Sequence, residues 1–263
     1  LMTSSSEKVR YNAARVLGEM GDSKAVEPLI DVLKNDKNGS VRLYAARALG
    51  ELGDSKATEH LIESLREDRN VDVRVRAARA LGRLGGKIVV EPLVEALNDE
   101  NSQACITATD ALIEIGDVAT DALIKSLDHE KVNVRCDATR ALGEIGNKKC
   151  VDKIINMLYD EWVNVRIYAV TSLGKLNDKK AVPALIDVMK NRSENDLVRA
   201  GAAAALGVLR DQRALLPLRE LIMEAEELGE LEDTALKSFK KIMAANWQAI
   251  PGATQQKKPA NSF

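Results

Sequence analysis

Val-Arg, two variable residues, Ala, and then Leu-Gly recur along nearly the whole chain at intervals of about thirty-one residues. The copies begin at Val9-Arg10 with Leu17-Gly18, Val41-Arg42 with Leu49-Gly50, and Val73-Arg74 with Leu81-Gly82. They resume at Val134-Arg135 with Leu142-Gly143, Val165-Arg166 with Leu173-Gly174, and Val198-Arg199 with Leu206-Gly207. A degraded copy, Ala104-Cys105 with Leu112-Ile113, fills the gap. Such a period belongs to stacked repeat proteins, in which each unit touches mainly its neighbours. The 263 residues are therefore expected to form one elongated domain rather than several globular ones.

Within the first copy, a 100° advance per residue gathers Val9, Ala13, Val16, Leu17 and Met20 on one apolar face. Ser4 and Glu7 have capping-box spacing and Gly21-Asp22 supplies a stop, which predicts a helix from about Ser5 to Met20. Ala25, Val26, Leu29, Ile30 and Leu33 form a second helical stripe with Pro28 near its first turn. Asn35 to Ser40 is a polar turn into the next unit. Each repeat is thus a helical hairpin that needs adjacent hairpins to bury its stripes. The recurrent glycines imply a packing or termination role, since Gly in a helix costs about 1 kcal/mol relative to Ala. The recurrent arginine, paired with the turn acids Asp22, Asp54, Asp178 and Asp211, reads as a structural ladder between hairpins rather than as a nucleic-acid contact.

With 38 basic and 40 acidic side chains the net charge is −2, which gives no global attraction to nucleic acid or to an anionic membrane. Aromatic residues make up only 3% of the chain, so the core must be Ala, Leu, Ile and Val. Cys105, Cys136 and Cys150 are odd in number and form no Cys-x-x-Cys pair, which supports neither a disulfide framework nor a thiolate metal site. No run of eighteen apolar residues and no leader pattern is present, and a cytoplasmic location is the expectation.

Val-Arg-x-x-Ala-Ala-x-Ala-Leu-Gly-x-Leu-Gly-Asp followed by Ala-Val-Glu-Pro-Leu-Ile resembles the short HEAT-like repeat of phycobilisome lyases, over about residues 9 to 222. The resemblance implies an all-α solenoid, a right-handed superhelix of about seven HEAT-like hairpins. It is specific for fold and weak for function, because such repeats serve as scaffolds, chaperone-like proteins and a few enzymes. Relatives resembling deoxyhypusine hydroxylase carry a di-iron centre on His-Glu pairs after Val-Arg. Here those positions read Tyr11-Asn12, Leu43-Tyr44, Val75-Arg76, Ile106-Thr107, Cys136-Asp137, Ile167-Tyr168 and Ala200-Gly201, without the ligands. His129-Glu130, the one such dipeptide, falls in a turn, and His60 stands near a helix start. No cofactor and no catalytic set is expected; if the chain is an enzyme, the resemblance points to a bilin lyase type that handles a chromophore.

The same resemblance places the Val-Arg helix on the concave side, so its variable positions would form a continuous inner ribbon. Copy by copy the candidate partner-binding residues are Tyr11, Asn12 and Arg15, then Tyr44 and Arg47, then Arg76, Arg79 and Arg83, then Arg140 and Tyr168. Tyr and Arg are types enriched at binding hot spots. Arg76, Arg79 and Arg83 sit at helical spacing with no acid among them, between Glu51 and Glu114. The expected function is a non-catalytic scaffold or adaptor that binds a partner protein there, through an acidic or phosphorylated segment. Nucleic-acid binding by this arginine-rich centre is a further alternative, which would show as steep salt dependence. Tyr159, Trp162 and Tyr168 form a second cluster, with Trp162 either an exposed anchor or a plug over a hairpin end.

At the start, either Leu1 to Ser4 caps the first hairpin or the chain is a fragment of a longer solenoid. Toward the other end Ala235, Leu236, Phe239, Ile242 and Met243 continue a helical stripe in a capping element. The solenoid is expected to span residues 1–245 and a flexible tail residues 246–263.

Overall fold

The computed structural model describes residues 2–224 and 229–248, all of them helix or short connections. They fall into two compact units, Leu1–Ile145 and Gly146–Phe263. The first holds α1 (Glu7–Met20), α2 (Val26–Asn35), α3 (Gly39–Leu52), α4 (Thr58–Glu67), α5 (Val71–Leu84), α6 (Val90–Glu95), α7 (Ser102–Ile115), α8 (Thr120–Ser126) and α9 (Val132–Ile145). The second holds α10 (Val151–Asn156), α11 (Val163–Leu176), α12 (Val182–Lys190), α13 (Asp196–Leu209), α14 (Leu215–Glu224) and α15 (Glu230–Gln248). Each Val-Arg motif lies on an odd-numbered helix of 14 residues, and a shorter helix follows it. This is an all-α architecture of consecutive helical hairpins.

The helix boundaries follow from local chemistry. Asn38, Asn70, Asn101 and Asn195 precede long helices as N-caps; Asn38 Oδ1 accepts from the N–H of Ser40 at 2.8 Å and of Val41 at 3.3 Å. Gly21 and Gly53 stop α1 and α3 in the left-handed region, at φ of 70° and 68°. The predicted Ser4–Glu7 capping box does not form. Ser6 is the N-cap of α1 and contributes no side-chain cap, while the Glu7 carboxylate accepts from Asn38 Nδ2 at 2.6 Å in the next repeat.

Long helices stack on one another, α1 on α3, α3 on α5 and α5 on α7, with the short helices packed behind them. The Leu-Gly glycines Gly18, Gly50 and Gly82 make that stacking close, whereas at Gly174 an added Cβ would be in ordinary contact, 3.4 Å from Ala205 Cβ. A Cβ added at Gly18 would lie 2.8 Å from Ala48 Cβ, one at Gly50 2.7 Å from Ala80 Cβ, and one at Gly82 2.8 Å from Ala111 Cβ. In the second unit Gly207 abuts Ser238 of α15 in the same way. The degraded fourth copy carries Ile113 where this glycine belongs, and α7 packs on α9 along less of its length than α5 does on α7.

Leu29, Leu33, Leu49, Leu61, Leu81, Leu93, Leu112, Leu123 and Leu142 are fully buried between the helix layers of the first unit. The first helix departs from the expected core face. Val9, Val16 and Met20 are exposed, whereas Val41, the counterpart of Val9, is completely buried. The side of α1 that meets α3 is covered, and Val9, Val16 and Met20 of its apolar sector face solvent. In α15, Leu231, Ala235, Ser238 and Ile242 form the buried stripe and Met243 is exposed. This helix runs on through residues 246–248, where Asn246 accepts from Gln212 Nε2 at 2.8 Å; the rest of the tail expected from residue 246 lies outside the described residues.

The arginine ladder exists, with different partners from those the sequence suggested. Arg10 Nε donates to Asp36 Oδ2 at 2.6 Å, Arg42 Nε to Asp68 Oδ2 at 2.7 Å, and Arg74 Nε to Asp99 Oδ2 at 2.7 Å, each reinforced by a second bond from Nη2. The third nitrogen of each donates to the carbonyl six residues earlier: Ser4, Asp36 and Asp68. The turn acids Asp22, Asp54, Asp178 and Asp211 instead accept from the backbone N–H two residues on, which fixes the short 3₁₀ turn leading into the second helix. Geometry selects the acid after the second helix because only there do two carboxylate oxygens face the guanidinium fork. In the fourth copy Cys105 stands in for the arginine, and its Sγ donates to the Asp99 carbonyl at 3.2 Å.

Candidate binding surface

The ladder engages the recurrent arginines internally and Arg42 and Arg74 are buried, which leaves the variable side chains of the long helices as candidates for recognition. On the first three, those side chains line up across the stack. The Tyr11 and Tyr44 rings stack with centroids 5.2 Å apart and planes 22° from parallel, which joins α1 to α3 at the surface. Arg15 pairs with Glu19 at 2.7 Å and Arg47 with Glu51 at 2.8 Å, both within one helix turn. Asn12 donates to the Lys8 carbonyl of its own helix at 2.8 Å.

The third repeat breaks the pattern. Arg83 occupies the place of Glu19 and Glu51, so the intrahelical pair becomes Arg79 above Arg83, two like charges. Arg76 adds a third guanidinium on the same face. None of the three makes a hydrogen bond or ion pair with a described residue. They line a solvent-open cleft of about 240 Å³ between α3 and α5. Arg47 and Glu51 form its other wall, and Gly50 and Ala80, at the close helix contact, form its floor.

Arg140, on α9, is occupied by acids: it lies 3.3 Å from Asp110 and 4.0 Å from Asp137. It is not available on the same terms as the α5 arginines. Asp137 is itself half-buried, and burial pushes its carboxyl above the ordinary range; the charge of Arg140 and a hydrogen bond with Thr109 offset only part of this. In the second unit, Tyr159 and Trp162 are exposed and Tyr168, on α11, is borderline exposed. Trp162 is the N-cap residue of α11, where α3, α5, α7 and α13 have an asparagine, and it contributes no side-chain cap. Its side chain is exposed, with 53% of its surface open.

Cys105, Cys136 and Cys150 are buried, and burial pushes the Cys150 thiol up to about 11. Among the described residues no three His, Cys, Asp or Glu side chains are grouped so as to hold a metal ion, and no described helix is long and apolar enough to cross a membrane. Sequence reasoning named the arginines of the cleft but not its floor. The Gly-Ala signal for that floor was visible, as the small residues beside each Leu-Gly step.

This stack of hairpins, with its buried ladder and close Gly-Ala joints, defines a helical-repeat protein. A profile of HEAT repeats matches residues 1–70, 58–132, 120–191 and 151–238, and the chain belongs to the HEAT repeat family. Among solved structures it is similar to the Escherichia coli protein YibA, at 24% identity and a TM-score of 0.51, over 91% of this chain and 90% of that one. It is also similar to the complex of CpcE and CpcF of phycocyanin lyase from Nostoc sp. PCC7120, at 25% identity and a TM-score of 0.46, over 92% and 91% of the two chains. A third likeness is to human deoxyhypusine hydroxylase in complex with glycerol, at 21% identity and a TM-score of 0.44, over 92% of each chain. No curated protein matches the chain by sequence. These likenesses are of fold and do not extend either named activity to this chain.

Proposed function

We propose that the chain is a non-catalytic interaction scaffold that holds an acidic segment of a partner protein on the exposed face of α1, α3 and α5. The observation that carries this reading is the group of unpaired arginines Arg76, Arg79 and Arg83, on a surface where the two preceding repeats pair the equivalent arginine with a glutamate. Packing and folding give no reason for that exception. The stacked Tyr11 and Tyr44 on the same strip supply apolar contact at low entropic cost, as interface tyrosines do.

Peptide display against the immobilised chain tests it. Wild-type protein is expected to enrich acidic sequences, and the Arg76→Ala, Arg79→Ala, Arg83→Ala variant to lose them while melting within about 0.5 kcal/mol of wild type, as exposed truncations do. Equal enrichment by both proteins counts against the reading. Bilin titration followed by absorbance checks the chromophore alternative separately.

A further inference from the structure

The cleft between α3 and α5 has a narrower chemistry than its arginines alone imply. Resting on the scaffold reading, we infer that it receives a single phosphorylated side chain of the partner, with Arg76, Arg79 and Arg83 as the anion's ligands. Three observations support this. First, the glutamate that pairs with Arg15 or Arg47 in the two preceding copies becomes Arg83 in the third. That change removes an attraction and installs a repulsion, which an anion between Arg79 and Arg83 relieves. Second, a phosphate monoester carries nearly two charges and three acceptor oxygens, enough to engage several planar guanidinium forks at once; a carboxylate offers two oxygens and one charge.

Third, the surroundings limit the anion to one. Glu51, held by Arg47, stands on the α3 side, and on the α7 side the Glu114 carboxylate lies 3.3 Å from the position of a Cβ built on Gly82. A polynucleotide crossing the stack would carry further phosphates onto these acids, and a flat anionic membrane surface would meet them as well. An isolated phosphate on a polypeptide would not. The volume of about 240 Å³ is below the roughly 300–1,000 Å³ of typical small-molecule pockets, in keeping with the end of one side chain.

Fluorescence anisotropy with the full chain tests the assignment. The probe is a labelled nonapeptide of alanine, glycine and glutamate with a central phosphoserine, compared with versions carrying glutamate or serine there. Phosphoserine is expected to bind about tenfold or more tightly than glutamate, and Arg83→Glu to abolish that preference. This variant gives Arg79 the same glutamate partner, one helix turn on, that Arg15 and Arg47 have in the earlier repeats. Its melting temperature should therefore not fall, and loss of binding cannot be blamed on unfolding. Equal affinity for phosphoserine and glutamate overturns the phosphate assignment and leaves the scaffold reading intact. A preference that survives Arg83→Glu overturns the location. Failure of all three peptides overturns the inference, and the display experiment then judges the scaffold reading independently. A single-stranded oligonucleotide that binds more tightly than the phosphopeptide overturns the choice of partner.

Discussion

At Gly50 one methyl group separates a tolerated helix from an obstructed one. The added Cβ would meet Ala80 Cβ at 2.7 Å and Ala80 Cα at 2.9 Å, and the backbone atom cannot rotate away. Gly50→Ala is therefore expected to destabilise the fold by about 1–3 kcal/mol, the usual penalty of overpacking. Gly53→Ala is a different experiment. Nothing stands within 4 Å of that position, and its penalty comes only from φ of +68°, about 1 kcal/mol. Chemical denaturation of both variants separates close approach from backbone conformation, which the sequence merged into one recurring letter. The arginines show the same limit of legibility. Arg15, Arg47 and Arg79 occupy equivalent positions in their copies; what sets Arg79 apart is that its neighbour four residues on is Arg83, a fact that is readable in sequence but gains its meaning from the cleft it faces.

Among elements, the long helices α3, α5, α7 and α13 begin on a capping asparagine, and α11 begins on Trp162 instead. Trp162 gives up the cap and leaves a large apolar side chain in solvent. Trp162→Asn should restore the cap seen at Asn70 and raise stability by about 1 kcal/mol in an equilibrium melt. An unchanged or lowered stability would show that the indole has a packing role in this helix start. Helix positions were legible because periodicity and turn chemistry agreed. The ladder partners were not, because a period such as the first or second contains two acids, one in the hairpin turn and one after the second helix. Asp22 is engaged by its own local turn and Asp36 by Arg10, a division made by three-dimensional distance and invisible in spacing. The exposed apolar side of α1 was misread for a similar reason: an amphipathic stripe records what could be covered, not what is.

Over the whole molecule the ladder acts as an acid sensor of stability. Burial alone would raise the carboxyls of Asp36, Asp68 and Asp99, but the hydrogen bonds and charges of Arg10, Arg42 and Arg74, with backbone N–H donors, outweigh it and hold all three below the ordinary range. Asp211, hydrogen-bonded by Arg213, is drawn down to about 2. Groups lowered in the folded state contribute stability that is full above the unfolded value near pH 4 and is lost as pH falls through the folded values. Asp137 has the opposite sign: its raised carboxyl makes folding less favourable as pH climbs above about 4. Melting temperature should therefore drop steeply below about pH 4, and Asp137→Asn should raise it at neutral pH while leaving the acid limb in place. An acid limb that also vanished in that variant would remove the ladder from the explanation.

The Gly-Ala contacts also make the repeats interchangeable at their joints. Gly50 meets Ala80, and Gly82 meets Ala111 by nearly the same distances. Excising residues 71–101 would join the cap Asn70 to Ser102 and bring Gly50 against Ala111, a mating already present elsewhere in the chain. Such a shortened protein is expected to retain its helical circular dichroism and a cooperative melt while lacking the arginine cleft altogether. A fold joined in this way is expected to be spliceable by whole periods, and Arg76, Arg79 and Arg83 all lie within one of them.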